Sequence, residues 1–98
     1  MEIFERGELA IMEVTFKDED GTAIQPTDDS AYAYIYTGAS IYTYGQAAYL
    51  GSTGLFEYRW DVPIGVERGV WHVDFKAAYQ GDPILERNQF RIIHTGRD

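Results

Sequence analysis

Residues 30–56 form a run of 27 residues without a charged side chain. The run begins with a strict alternation at residues 31–36, which read Ala-Tyr-Ala-Tyr-Ile-Tyr. Successive side chains of a β-strand point to opposite sides, so Tyr32, Tyr34 and Tyr36 share one side and the smaller residues share the other. The pattern predicts a strand whose small residues face the core and whose tyrosines face outward, where an aromatic stripe needs a contact.

Apolar and polar residues also alternate in segments 9–16, 55–62, 70–79 and 84–94. Such alternation is typical of strands that bury one side. The side chains expected to point inward from these segments are Ala10, Met12, Val14, Phe16, Phe56, Tyr58, Trp60, Val62, Trp71, Val73, Phe75, Ala77, Phe90 and Ile92. No long window has the apolar spacing of a helix. The chain is therefore predicted to be all-β, an antiparallel two-sheet sandwich of about seven strands that forms one domain over residues 1–98.

The segments between these strands predict turns and shorter strands. Residues 18–21 read as a tight acidic turn, followed by a short return strand over residues 22–25. Residues 41–44 predict another short strand, which a glycine ends. Residues 46–54 fit either a further strand or a wide loop, and residues 80–83 read as a turn.

The chain is acidic, with a net charge of −8, and it contains no cysteine. Neither disulfides nor thiolate metal sites are therefore available. Residues 1–29 carry nine acids against Arg6 and Lys17, and no basic stripe appears anywhere. Because such a chain repels phosphate backbones, we expect no nucleic-acid partner.

The first residues lack both the basic start and the apolar run of a secretory signal. No stretch approaches the ~18 consecutive apolar residues of a membrane span. The sequence therefore predicts no membrane partner, and it predicts a cytoplasmic location unless the chain is built into a larger assembly.

Three segments carry a resemblance to a known family. Residues 8–21 read as a strand that ends in an acidic turn with glycine, residues 52–60 as small-Thr-Gly-x-aromatic-x-aromatic, and residues 69–73 as Gly-x-aromatic-x-Val. This order resembles immunoglobulin-like sandwich modules of the bacterial and macroglobulin-like kind, and the short Ig-like accessory proteins of tailed-phage and archaeal-virus particles. The resemblance implies an adhesive or structural module without catalytic residues. The chain departs from such modules at Ala31 and Ala33, where larger aliphatic residues are usual.

The tyrosines are the candidate site for a protein partner or for self-assembly. Tyr32, Tyr34 and Tyr36, joined by Tyr42 and Tyr44, would form an exposed aromatic patch. Tyrosine offers a large amphipathic contact area at a low cost in rotamer entropy. In the alternative interpretation the rings lie partly in the core and only their hydroxyl groups reach the rim.

Two acidic clusters are candidates for a calcium site. Asp18 with Asp20, and Asp28 with Asp29, could place several carboxylate oxygens around one ion. Their spacing lacks the twelve-residue loop with its terminal glutamate, and an Asp-x-Asp-Gly sequence is more often a solvated turn. We therefore predict no metal and no cofactor.

The remaining candidates for chemistry are few. His72 and His94 belong to no metal-binding or catalytic pattern, and no nucleophile lies in a recognisable motif. Trp60 and Trp71 could line a sugar-binding groove, although core packing is the ordinary use of tryptophan in a sandwich of this size. The sequence predicts that the protein is not an enzyme.

These observations predict a non-enzymatic structural protein, most specifically a virion component that docks through an uncharged, tyrosine-rich sheet face. In a particle it would decorate the capsid, join head to tail, or serve a tail or fibre. The alternatives are a carbohydrate- or peptide-binding module of a larger surface protein, and a self-assembling filament subunit that pairs through its edge strands.

Overall fold

The computed structural model describes residues 1–94. Within them the chain forms β-strands and one short 3-10 turn at Thr27–Asp29. The strands are β1 (Glu2–Glu5), β2 (Leu9–Thr15), β3 (Ala31–Thr37), β4 (Ser40–Tyr49), β5 (Leu55–Asp61), β6 (Gly69–Tyr79) and β7 (Asp82–Ile93). The prediction of an all-β chain of about seven strands is confirmed.

The strands pair in the order β1-β7-β6-β3-β4-β5-β2. All neighbours are antiparallel except β1 and β7, which run parallel, so the prediction of a purely antiparallel arrangement was wrong. The two edge strands, β1 and β2, follow each other in the chain. Between them the backbone N–H of Arg6 bonds to the Ile93 carbonyl at 3.1 Å, and that of Gly7 bonds to the Val62 carbonyl at 2.7 Å. These bonds nearly close the sheet on itself.

The inner side of the sheet encloses one apolar core. Its largest fully buried members are Phe16, Phe56, Trp71, Phe75 and Phe90. The predicted inward residues of every alternating segment lie in this core, with Tyr58 and Ala77 partly buried against it. Because the side-chain alternation of a strand is a local property, the sequence was enough to predict these faces.

The core sides of β3 and β4 are lined by very small residues. Ala31 and Ala33 are fully buried, which confirms that this side of β3 faces inward. Gly45 of β4 lies opposite Ala33, and a Cβ atom at Gly45 would lie 2.9 Å from the ring of Tyr58 on β5. The small residues therefore make room for aromatic rings from the other side of the core.

Three local predictions about strands were wrong or incomplete. The strand β1 was not expected, because only Phe4 of its four residues is buried and no alternation is visible. β4 continues through Gly45 to Tyr49, since its backbone pairs with β3 on one side and then with β5. The expected strand over residues 22–25 is reduced to an isolated bridge between Lys17 and Ala23.

The turn before β7 is shorter than predicted. Gln80 and Gly81 both have positive φ, 52° and 85°, and they form a two-residue connection between Tyr79 and Asp82. Such mirror-image turns match the twist of paired strands. Pro83, expected in the turn, lies instead within β7.

Candidate functional site

The tyrosine face is the outer side of the four adjacent strands β7, β6, β3 and β4. The residues on this side are Leu85, Arg87, Gln89 and Arg91 of β7, Val70, His72, Asp74 and Lys76 of β6, Tyr32, Tyr34 and Tyr36 of β3, and Ile41, Tyr44 and Gln46 of β4. Tyr32 is 43% exposed and Tyr44 65% exposed, whereas Tyr34 and Tyr36 are partly buried. The alternating tyrosines thus face away from the core.

The ring of Tyr34 lies at the centre of this face. It stacks on the ring of Tyr44 with centroids 5.5 Å apart and planes inclined by 17°. The Nζ atom of Lys76 lies 4.7 Å from the centroid of the Tyr34 ring, within cation–π range. These contacts restrict the rotation of the two aromatic rings and of the Lys76 side chain, so these groups are ordered in the free protein.

Asp74 is the buried polar centre of the face, at 6% exposure. The Nε and Nη2 atoms of Arg87 donate hydrogen bonds to its two carboxylate oxygens at 2.8 and 2.9 Å. The hydroxyl of Tyr36 donates a third bond to Oδ1 at 3.1 Å. Two parallel bonds from a guanidinium to a carboxylate form a strong, directional pair. Asp74 therefore holds both Arg87 and Tyr36 in place.

The network shifts the pKa values of its members. Burial of Asp74 opposes its ionisation, but the hydrogen bonds from Arg87 and Tyr36 outweigh that effect and lower the pKa of the Asp74 carboxyl below its ordinary value. Burial and the hydrogen bond to Asp74 raise the pKa of the Tyr36 hydroxyl. Asp74 is thus a carboxylate, and Tyr36 a neutral donor, near neutral pH.

We expect Asp74→Asn to lower the free energy of unfolding by about 1.5 kcal/mol at neutral pH, because it removes a charge that accepts three hydrogen bonds. The folded-state pKa of Asp74 is depressed, so its stabilisation is present above the unfolded-state pKa and is lost as the pH falls through the folded-state value. The difference between wild type and variant should therefore be largest near neutral pH and shrink as the pH falls below the ordinary pKa of an aspartate. Urea denaturation over this pH range measures it.

Glu57→Gln serves as the matched control for Asp74→Asn. Glu57 accepts a hydrogen bond from Arg59 at 2.7 Å; the Glu57 side chain is 15% exposed, but that of Arg59 is 62% exposed, so water reaches the pair. We expect this substitution to change the free energy of unfolding by less than about 0.5 kcal/mol. Equal effects of the two substitutions would show that Asp74 does not organise the face.

The sequence interpretation missed the Asp74 network, although a signal for it was present. A two-residue turn at Gln80 and Gly81 places Asp74 directly opposite Arg87. The acid and the base at these two positions would then have been recognised as a cross-strand pair. The predicted turn over residues 80–83 is two residues longer, so it does not pair Asp74 with Arg87.

Tyr42 does not lie on the tyrosine face. The register between β3 and β4 shifts between Ile35 and Tyr36, and this irregularity turns Tyr42 toward the edge of the core, where it is still 51% exposed. Its ring contacts Trp60 at 5.8 Å and Trp71 at 5.4 Å, both edge-on. Of the five tyrosines expected in one patch, the structure places four on one face and Tyr42 at the mouth of the core.

The other candidate residues lie in the core, on the tyrosine face and at the end of β7. Trp60 and Trp71 are buried against each other at 5.6 Å, so neither offers an exposed face to a sugar. His72 stacks on Tyr36 at 5.1 Å, and His94 follows β7. Among residues 1–94 no group of three His, Cys, Asp or Glu side chains is arranged to hold a metal ion.

The carboxylates of the two acidic clusters accept hydrogen bonds from residues of their own turns. Oδ1 of Asp18 accepts the backbone N–H groups of Asp20 and Thr22, each at 2.9 Å. Oδ1 of Asp29 accepts a hydrogen bond from the side-chain amide of Gln25 at 2.8 Å. These bonds are typical of carboxylates that stabilise turns.

Comparisons of the chain with protein-family models, with curated proteins and with solved structures find no match. In the part of the chain that the structure describes, no helix is long and apolar enough to cross a membrane. The tyrosine face, with its stacked rings and the Asp74 network, is the candidate contact site of the described residues.

Proposed function

We propose that this protein is a non-enzymatic structural component of a virion, an Ig-like sandwich that docks on the particle through its tyrosine face. The observation that carries the proposal is the ordered aromatic array. Tyr34 is held between Tyr44 and Lys76, and Tyr36 is held by Asp74. Side chains already ordered in the free protein lose little entropy on binding, which favours a contact surface over an ordinary solvated sheet.

The strand pairing supports an immunoglobulin-like sandwich. β7, β6 and β3 lie side by side, and β5 and β2 pair at the other end of the strand order. β4 pairs with β3 over residues 40–47 and with β5 only at Ala48 and Tyr49, so it passes from one group to the other. A division of strands into two groups around one core is the architecture of immunoglobulin domains.

The apolar content of the face also supports docking. Tyr32, Ile41, Tyr44 and Leu85 are each exposed by more than two fifths, and they surround the ordered rings. Clustered exposed apolar side chains on a soluble protein mark contact surfaces. Tyrosine and arginine, both present here, are the side chains enriched in the energetically dominant parts of interfaces.

The test of this function is the presence of the chain in purified particles. Virus particles are isolated by density gradient from the cells that produce the chain, and the chain is quantified against the major structural proteins by mass spectrometry. We expect a fixed copy number per particle that survives repeated purification. Recovery of the chain only from the soluble cell fraction would contradict a structural role in the virion.

A carbohydrate-binding module is the second candidate, and one feature favours it. A shallow cleft of about 380 Å³ beside Tyr32 and Tyr34 is also lined by Asp28, Ser30 and Lys76. Aromatic faces beside hydroxyl and carboxylate groups are the kind of lining that a pyranose ring requires. Titration with a panel of oligosaccharides, read by tyrosine and tryptophan fluorescence, distinguishes this candidate from protein docking.

A further inference from the structure

The tyrosine face is positively charged although the protein is acidic. β3 and β4 contribute uncharged side chains to the face, whereas β6 and β7 contribute Lys76, Arg87 and Arg91 against the single acid Asp74. Three positive charges and one negative charge give these four strands +2, with Asp28 beside Lys76 and Glu5 of β1 beside Ile93 at the edges of the face, on a chain whose net charge is −8. Cations concentrated on one face of an acidic protein create a local field that attracts negative groups.

Arg87 has the geometry to bind a second carboxylate. Its hydrogen bonds to Asp74 use Nε and Nη2, which leaves the two N–H groups of Nη1 for a partner. The Arg87 side chain is 58% exposed, so a partner can reach them. Asp74 fixes the plane of the guanidinium group, and a fixed donor loses less entropy when it binds.

The opposite face of the protein is acidic but too small to be the occupant. The outer side of β2 and β5 carries Glu13, Glu57 and Asp61 against Arg59. These two strands pair over seven residues, so this face spans roughly 10 by 23 Å. A standard interface buries about 800 Å² on each partner. A second copy that docks through its acidic face would therefore leave about half of the tyrosine face uncovered.

The tyrosine face is about twice as large as the acidic face. Its four strands are spaced about 4.8 Å apart and its residues on β6 run over the seven positions from Val70 to Lys76, which gives a surface of roughly 20 by 23 Å. The occupant that fits is a surface on a different protein, broad enough to cover all four strands. A nucleic acid fits less well. The face offers only three cations, one of them already paired with Asp74, and the protein as a whole has a net charge of −8, which repels phosphates.

We propose that the tyrosine face binds an acidic protein surface, whose carboxylates pair with Arg87, Arg91 and Lys76 while its apolar side chains cover Tyr32 and Tyr44. This inference rests on the proposed docking function and specifies the chemistry of the partner. The aromatic rings provide contact area, and the surrounding cations determine which surfaces are accepted.

Selection from a displayed library of random peptides tests the partner's chemistry. We expect peptides enriched on the full chain to carry more Asp and Glu than the unselected library. Their dissociation constants, measured by fluorescence anisotropy with synthetic peptide, should rise about tenfold in Arg87→Gln and in Arg91→Gln. Arg91 makes no contact with Asp74, so its substitution leaves the buried network intact. Arg59→Gln on the opposite face should leave binding unchanged.

Each other outcome overturns the inference. If the enriched peptides show no excess of acids but bind the Tyr32→Ser/Tyr44→Ser variant more weakly, the acidic partner is contradicted and docking through the tyrosine face is retained. If no peptide is enriched, or if no substitution on the tyrosine face weakens binding, both the acidic partner and docking through this face are contradicted. Tight binding of single-stranded DNA that Arg87→Gln weakens would replace the protein partner with a nucleic acid.

Discussion

Replacement of Gly54 by alanine is expected to lower the free energy of unfolding by about 3 kcal/mol or more. Gly54 has φ of +75°, and a Cβ atom there would lie 2.7 Å from the carbonyl oxygen of Ile24 and 2.8 Å from that of Phe16. Both neighbours are backbone atoms, and the Ile24 N–H donates a hydrogen bond to the Phe16 carbonyl at 2.9 Å, so neither segment can move aside cheaply. Urea denaturation monitored by tryptophan fluorescence measures the loss.

The position of Gly54 explains why the effect should be large. Its carbonyl accepts the N–H of Phe16 at 2.9 Å, and its N–H donates to the side-chain carbonyl of Gln25 at 2.8 Å. Gly54 therefore connects the loop before β5 to the end of β2 and to the segment beyond it. A shift of its backbone would break both bonds.

Gly51→Ala is the matched control for Gly54→Ala. Gly51 has φ of +88° in the same loop, but a Cβ atom there meets nothing within 4 Å. Gly51→Ala should lower the free energy of unfolding only by the strain of alanine in a left-handed conformation, about 1 to 2 kcal/mol. Equal losses in the two variants would mean that the close approach of Gly54 to Phe16 and Ile24 does not exist.

The strand faces could be predicted because side-chain direction depends only on local alternation. The buried Ala31, Ala33 and Ile35, and the outward Tyr32 and Tyr34, follow from a period of two. Sheet order could not be predicted in this way. It depends on pairings between distant segments, such as the parallel contact of β1 with β7, and β1 is too short to show a pattern of its own.

The candidate site was predictable only in part, for the same reason. Tyr32, Tyr34, Tyr36 and Tyr44 were expected together, and the structure places them on one face. The charges on that face come from β6 and β7, which join it through the pairing of β3 with β6. The local shift in register that removes Tyr42 from the face leaves no trace in the alternation of residues.

The second large effect concerns docking. Tyr32 and Tyr44 are the most exposed rings of the tyrosine face, so Tyr32→Ser/Tyr44→Ser removes contact area without opening the core. Truncation of a dominant interface side chain costs about 1 to 3 kcal/mol, so we expect the pair to weaken docking about 100-fold. Leu9→Ser/Ile11→Ser is the matched control, because these two apolar side chains are also exposed, by 45% and 39%, on the opposite face.

The most direct measurement is the equilibrium binding of labelled protein to particles from which the native chain has been stripped. Docking through the tyrosine face predicts a dissociation constant about 100-fold higher for Tyr32→Ser/Tyr44→Ser than for wild type, and an unchanged constant for Leu9→Ser/Ile11→Ser. Equal binding of wild type and the tyrosine variant, or a loss confined to the Leu9 and Ile11 variant, would contradict docking through this face.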